Sequence, residues 1–179
     1  MRETKTTTLT FFVSISVLLE WLERQGKKGW YLEEIRGIGA TMIGMAKDPA
    51  DATKNSPAFP MVAFITEAQD YYYPAGKKQI KKDEVDFVSR LMFMQVLHKT
   101  YAGTATACTG AAAKIKGTLV NQVIENIDQK EIIRIGHPAG VIPVAAQVDE
   151  NNTVKKAALI RTARRLMEGY ALLEKARFE

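Results

Sequence analysis

Cysteine occurs once in this chain, at position 108, inside a run of small residues, Tyr101-Ala-Gly-Thr-Ala-Thr-Ala-Cys-Thr-Gly-Ala-Ala-Ala113. The run reads as a tight loop feeding a helix that spans Cys108 to Lys116. A loop of Gly, Thr and Ala admits a ligand close to the backbone. The unpaired N–H groups and positive dipole end of a helix start favour an anion or a thiolate. The chemistry in reach is acid/base or nucleophilic work by the thiol, or anion binding by the backbone. The bland alternative is an inert buried cysteine among alanines.

Other reactive residue types are thinly spread. His98 stands near the end of an apolar stretch, where a charge-partner role on the surface suits it better than metal ligation. No His, Cys or acidic cluster with zinc spacing accompanies it, so no metal site is expected. Lys77-Lys78-Gln-Ile-Lys81-Lys82 follows Tyr71-Tyr72-Tyr73-Pro74-Ala-Gly76, and lysines beside aromatics can hold single-stranded nucleic acid. The cluster lacks arginine and lies between a Pro/Gly turn signal and a helix start, so a solvated surface loop is the preferred reading. No nucleic-acid partner and no cofactor is expected.

The elements that must position these residues follow from local pattern. Val17, Leu18, Trp21 and Leu22 have helical spacing, and a second short helical piece surrounds Tyr31 to Ile35. Gly37 to Ala46 is apolar and glycine-punctuated, which predicts a buried strand or a strand with a bulge. Asp48-Pro49 predicts a helix start, closed soon after by Ser56-Pro57 and Phe59-Pro60. Met61 to Thr66 predicts a buried strand. Asp83 caps a predicted helix with Val85, Val88, Leu91, Met92 and Val96 on one face. Gly117 and Lys114 end the cysteine helix. Glu131 to Ile135, Val141 to Val148, Val154 to Arg161 and Leu166 to Leu173 then predict successive strands, with turns at Gly136-His-Pro-Ala-Gly140 and Asp149-Glu-Asn-Asn152. Together they predict an α+β domain in which a curved, mainly antiparallel sheet wraps a central helix, with Ala111, Ala112 and Ala113 allowing strands to approach closely.

Bulk properties agree with one core. The 179 residues are 46% hydrophobic, far from the composition of a disordered chain. A single cysteine forms no internal disulfide, which fits a reducing cytoplasm. The 25 basic and 20 acidic residues leave a net charge of +5, a mild bias toward anionic partners. The apolar stretch Leu9 to Leu19, behind Arg2 and Lys5, is too short to span a membrane and is followed by no small-x-small cleavage site. Neither membrane insertion nor export is expected.

Three blocks, in order and at suitable intervals, resemble the PrpF family: Ala107-Cys-Thr-Gly-Ala-Ala-Ala113, Ile135-Gly-His-Pro-Ala-Gly140 and Arg161-Thr-Ala-Arg-Arg-Leu-Met-Glu-Gly169. Ile35-Arg-Gly-Ile-Gly-Ala40, Pro60-Met-Val-Ala-Phe64 and Asp83-Glu-Val-Asp86 extend the likeness from about Leu32 to Leu173. The family includes isomerases and tautomerases of small unsaturated di- and tricarboxylates. The resemblance implies a diaminopimelate-epimerase-like fold, in which two similar α/β halves, each a sheet wrapped round a helix, face each other across a cleft. It divides the chain into a divergent segment, 1–31, and a domain matching the family's C-terminal half, 32–179.

The resemblance also implies the chemistry: proton transfer at a carbon beside an activated double bond, with backbone N–H groups holding the carboxylates. The lysine and cysteine usually given this work belong to the family's first half, in a Gly-Asn-Cys-Gly-Asn-like motif that has no counterpart in this sequence. What carries over is Cys108 as a candidate catalytic residue, with Thr109, Gly110, His137, Ala139 and Gly140 as candidate substrate contacts. Relatives often have serine at the position of Ala139. Arg161, Arg164 and Arg165 match the third block, where strand-end packing and surface ion pairs account for at least two of them. A small carboxylate ligand is implied, with a site completed by a homodimer partner or a complementing first-half polypeptide. A non-catalytic carboxylate-binding module is the competing expectation.

Overall fold

The structure is a computed structural model and describes residues 10–14, 31–73, 76–94, 96–160, 164–170 and 172. Its centre is a sheet of strands β1 (Thr10–Ser14), β2 (Met61–Glu67), β5 (Phe87–Phe93), β7 (Ile132–His137), β8 (Gly140–Val148) and β9 (Val154–Leu159), side by side in that order. A seventh, β6 (Val96–Leu97), folds back on β5. β1 runs parallel to β2 and β5 parallel to β7, while the remaining pairs are antiparallel. A separate hairpin pairs β3 (Tyr71–Tyr73) with β4 (Lys78–Ile80), so the lysine cluster expected in a loop lies partly in a strand.

The sheet curls round one helix, α3 (Gly103–Lys114), which lies against β8, β9 and β1. Its buried residues are Ala105, Thr106, Thr109, Gly110, Ala112 and Ala113. Small side chains over that width let the backbone sit close to the strands, as the sequence predicts. Gly110 shows how close: a Cβ there would stand 2.6 Å from Val144 Cγ2. Around α3 the core gathers Met61, Ala63 and Ile65 of β2, Phe87 and Leu91 of β5, Ile133 and Ile135 of β7, and Val144 of β8. The short helix α4 (Leu119–Gln122) adds Val120, capped by the Thr118 hydroxyl accepting from Asn121 N–H. The strand predicted at Met61 and the three strands predicted between Glu131 and Arg161 are all present.

Two elements differ from expectation. The helix predicted after Asp83 is a single 3-10 turn, Lys82–Glu84, followed by strand β5. The residues that mimicked a helical face are split between the two sides of a strand largely buried on both and its neighbour: Leu91, with Phe87, joins the core round α3, Val88 joins Ile80 and Val85 on the outer face, and Val96 lies exposed in β6. Burial of both faces removes the polar alternation by which a strand is recognised. Conversely, the strand predicted from Gly37 is the second half of helix α1 (Tyr31–Met42). Gly37 serves there as a contact point, since a Cβ would stand 2.5 Å from Pro49 O.

Arg36, 4% exposed, ties α1 to the segment between residues 53 and 59. It donates to the Glu33 carboxylate, to Ser56 O at 2.6 Å, to Phe59 O at 3.2 Å and to Thr53 Oγ1 at 2.9 Å. The start predicted at Asp48-Pro49 is present: Asp48 accepts from Ala50 N–H at 2.8 Å, ahead of a 3-10 turn (Pro49–Asp51) and helix α2 (Ala52–Asn55).

The strand predicted over Leu166 to Leu173 is not found in its described part. Residues 164–170 carry no strand, and Leu166, Met167 and Tyr170 are exposed, so no neighbouring strand covers their apolar surface. The helix predicted around Val17 to Leu22, Arg161 and Leu173 lie outside the described residues. Among the described residues no helix is long and apolar enough to cross a membrane.

Candidate functional site

Strand register puts several candidate residues at one end of the sheet. Val88 of β5 lies opposite Gly136 of β7, so Ser89 is level with His137, the last residue of β7. Tyr101, just before α3, reaches Ser89. At its other end α3 presents Lys114, whose ammonium donates to Ile127 O at 2.7 Å and to Lys130 O. The start of α3, Ser89 and the turn joining β7 to β8 therefore share an end. Ala102, the N-cap of α3, has no side chain able to cap the first-turn N–H groups, which leaves them available to a ligand.

His137 is the most perturbed group there. It is 7% exposed. Burial, followed by the positive charge of Arg90 and then by His98, pushes its pKa down to about 4. The imidazole is neutral at pH 7. Its Nδ1 accepts from Ala139 N–H at 3.2 Å, so the ring proton resides on Nε2. The turn thus fixes both tautomer and orientation of a neutral hydrogen-bond donor. Gly140, opposite His137 in the β7–β8 register, has φ +123°, a backbone that side-chain-bearing residues rarely adopt.

His98 enters from the segment after β6. Its Nδ1 accepts from Thr100 N–H at 3.2 Å and lies 3.3 Å from Thr100 Oγ1, and its ring meets Phe93 edge-on with centroids 6.5 Å apart. It is half-buried and acts electrostatically on His137.

The core between β5 and α3 holds a chain of buried hydroxyls. Ser89 Oγ donates to Phe64 O at 3.1 Å, Tyr101 Oη lies 3.0 Å from Ser89 Oγ, and Thr109 Oγ1 lies 3.2 Å from Tyr101 Oη. Each hydroxyl has one proton. With the serine proton committed to Phe64, Tyr101 donates to Ser89 and Thr109 donates to Tyr101. Burial pushes the Tyr101 phenol above its ordinary value, against the opposing pull of its bonds to Ser89 and Thr109, so it stays a neutral donor.

Cys108 is placed differently from expectation. The helix starts at Gly103, not at Cys108, so the thiol lies in the helix interior on a half-buried side with Ala107 and Ala111. The backbone N–H groups near it are spent within the helix rather than aimed at a ligand. The residues read as loop are helical, and Thr106 returns its hydroxyl to Ala102 O one turn back at 2.9 Å. Thr109 and Gly110 face the core, one bonded to Tyr101 and the other against Val144. His137, Ala139 and Gly140 are brought together in one turn; Thr109 connects to that end only through Tyr101 and Ser89. Arg164 and Arg165 are exposed, and Arg165 pairs with Glu168 at 3.0 Å.

Two residues of this end carried no reading as site residues from the sequence, Arg90 none at all and Tyr71 only as one of the aromatics beside the lysine cluster. Arg90 projects from β5 on the face opposite α3. Its Nη1 donates to Ser89 O at 2.9 Å and makes a long contact, 3.5 Å, with Gly136 O, while its guanidinium lies 4.9 Å from the centre of the Tyr71 ring. Tyr71 in turn donates its hydroxyl to Gly140 O. A lone charged residue within the mostly apolar stretch Phe87–Phe93 was the available signal.

Residues 20–174 match the family described as PrpF protein. The chain is 60% identical over 147 residues to the 3-methylitaconate isomerase of Eubacterium barkeri, covering 82% of this chain and 38% of that protein. It is 42% identical over 135 residues to the 2-methyl-aconitate isomerase of Cupriavidus necator, covering 74% of this chain and 33% of that protein. The crystal structure of methylitaconate-delta-isomerase superposes with a TM-score of 0.80 at 50% identity, covering 94% of this chain and 45% of that one. The chain therefore spans less than half the length of each of these relatives. The family match over most of the chain and the shared sequence and fold across that span show that the chain belongs to the PrpF family.

Proposed function

We propose that this domain supplies one wall of an active site that shifts the double bond of a small unsaturated di- or tricarboxylate by proton transfer. The observation that carries the reading is His137, a neutral imidazole whose Nε2–H is fixed by the turn at the end of the sheet where α3 begins, with His98 near enough to act on it electrostatically. A neutral N–H donor suits a substrate carboxylate or the enediolate-like oxygen that develops as the α-proton leaves, because it holds negative charge without surrendering its own proton. His98, with Nδ1 held by Thr100, presents its other nitrogen for hydrogen bonding or proton transfer. The first-turn N–H groups of α3 add a further place for a carboxylate.

Within this assignment Ala139 and Gly140 shape the turn, Thr109 and Gly110 seat the helix, and Cys108 lines the wall without acting as the acid or base. The remaining acid/base groups come from a facing α/β half. A second copy of this chain and a separate first-half polypeptide are the two sources to test. The identity to isomerases named for methylitaconate and methylaconitate supports acids of that size.

The test is exchange and isomerisation of 3-methylitaconate in D2O, followed by proton NMR, with the chain by itself and with the first half of a relative added. Deuterium incorporation and double-bond migration that fall at least about tenfold in His137→Gln and in His98→Gln, but survive in Cys108→Ala, support the assignment. Failure to bind or turn over any such acid, with or without the added half, sinks it.

A further inference from the structure

Arg90 and Tyr71 lie on the outer face of the sheet, away from α3, yet both reach the backbone around His137. Tyr71 donates to Gly140 O, on one side of the turn, and Arg90 reaches Gly136 O, on the other. The guanidinium stacks on the Tyr71 ring, so the two side chains form one unit. Gly136 makes room for it: a Cβ at that position would stand 3.0 Å from Tyr71 Cε1 and 3.2 Å from its hydroxyl oxygen. Among the described residues Arg90 forms no ion pair with a carboxylate. Burial is the main influence on its pKa and lowers it, with Tyr71 opposing. A half-buried, uncompensated guanidinium carries a desolvation cost, and packing alone does not require it.

We propose that Arg90 and Tyr71 are positioning residues for the site: from behind the sheet they clamp the carbonyls flanking the histidine turn and set a fixed positive charge near the His137 ring. This deepens the proposed function and rests on it for its catalytic meaning. The clamp itself is a separate physical claim. Neither residue touches substrate; they act through His137. The groups that act on the His137 ring are Arg90 from β5 and His98 from the segment after β6. Tyr71, from β3, has its phenol pushed up by burial, ahead of the opposing effect of Arg90, and so contributes a hydroxyl and no charge.

The experiment follows the imidazole signals of the full chain by NMR against pH. The chain has two histidines, and His98→Gln assigns them. The starting point is a His137 midpoint of about 4. In Arg90→Met it is expected to rise by about 0.5–1 unit, and in Arg90→Lys, which keeps the charge but not the planar stack, by less than half of that. Tyr71→Phe is expected to leave the midpoint within about 0.3 unit while speeding hydrogen exchange at Ala139 N–H. Gly136→Ala, which obstructs the seat of the Tyr71 ring, is expected to do the same.

An unchanged midpoint in Arg90→Met, or an equal rise in Arg90→Lys, overturns the charge role. Unaltered exchange at Ala139 in both Tyr71→Phe and Gly136→Ala overturns the clamp. Thermal unfolding of each variant identifies a protein that has lost its fold, and the conservative Arg90→Lys and Tyr71→Phe keep the question answerable in that case. If carboxylates fail to bind while the midpoint and exchange shift as stated, the proposed function falls and the clamp stands.

Discussion

Gly110 of α3 and Val144 of β8 meet with no room between them: the position of a Cβ on Gly110 lies 2.6 Å from Val144 Cγ2 and 3.1 Å from Cγ1. The contact sets how deeply the central helix sits in the curled sheet.

Gly110→Ala tests that contact. Alanine gains about 1 kcal/mol in helix propensity, but overlap in a packed core costs about 1–3 kcal/mol. A net loss of up to about 2 kcal/mol in urea unfolding is expected. Gly110→Ala combined with Val144→Ala should lose clearly less than the sum of the single changes, because each relieves the other. Strict additivity would refute the close approach.

His137 makes stability depend on pH. Its ordinary value is 6.5 and its folded value about 4, so as pH falls the unfolded chain takes up the proton first. The contribution is complete above about pH 6.5, declines through the interval and is gone below about 4, amounting to at most about 3 kcal/mol. Urea midpoints measured from pH 7.5 to 4.5 should fall in the native chain and fall less in His137→Asn. Parallel curves would show that His137 is not held neutral by the fold.

Asp86 acts lower on the pH scale. Burial raises its pKa, but bonds from Arg134 and Lys130 outweigh burial and hold the carboxyl below its ordinary 3.8. Arg134 donates from its backbone N–H at 2.7 Å and from Nη2 at 2.9 Å, and Lys130 Nζ stands 3.0 Å from Oδ1. The stability this contributes is present above about pH 4 and lost as pH falls further. Asp86→Asn at pH 7 should cost about 2–3 kcal/mol by thermal unfolding, since it leaves two cations facing a neutral amide. A change below about 0.5 kcal/mol contradicts this.

Much of the domain could be read in advance, and the exceptions share a cause. The strands at Met61 and Val141, the start at Asp48 and the two family blocks around Cys108 and His137 all carry short-range signals that survive tertiary packing. Strand β5 does not, because Phe87 and Leu91 bury on one face while Val88 buries on the other. The first half of helix α1 was legible around Tyr31 to Ile35, but its second half was hidden by glycines, of which Gly37 is small because Pro49 O is there. The site followed the same rule. His137 with its turn was legible as a motif, whereas Arg90, Tyr71 and His98 reach it only through sheet pairing and the segment after β6.

Tyr101→Phe probes the hydroxyl chain. The phenol is the acceptor for Thr109 and the donor to Ser89, so its loss strands a buried threonine hydroxyl. A cost of about 1–3 kcal/mol is expected. In a double-mutant cycle with Thr109→Val, the pair should couple by at least about 0.5 kcal/mol. Independent effects would break the chain into unrelated contacts.

The parallel pairing of β5 with β7 governs the order in which the protein can assemble. Residues 94–131, including α3, must be threaded out and back before β7 can take its place beside β5, and closing so long an excursion is entropically costly until the helix has docked. The hairpins β7–β8 and β8–β9 are local and can form early. β5, mostly apolar, waits with part of one edge bare beyond its short pairing with β6. The interval before the helix docks is when a nascent chain is most exposed to strand-to-strand association with its neighbours, and crowding on the ribosome or a weakened helix would lengthen it.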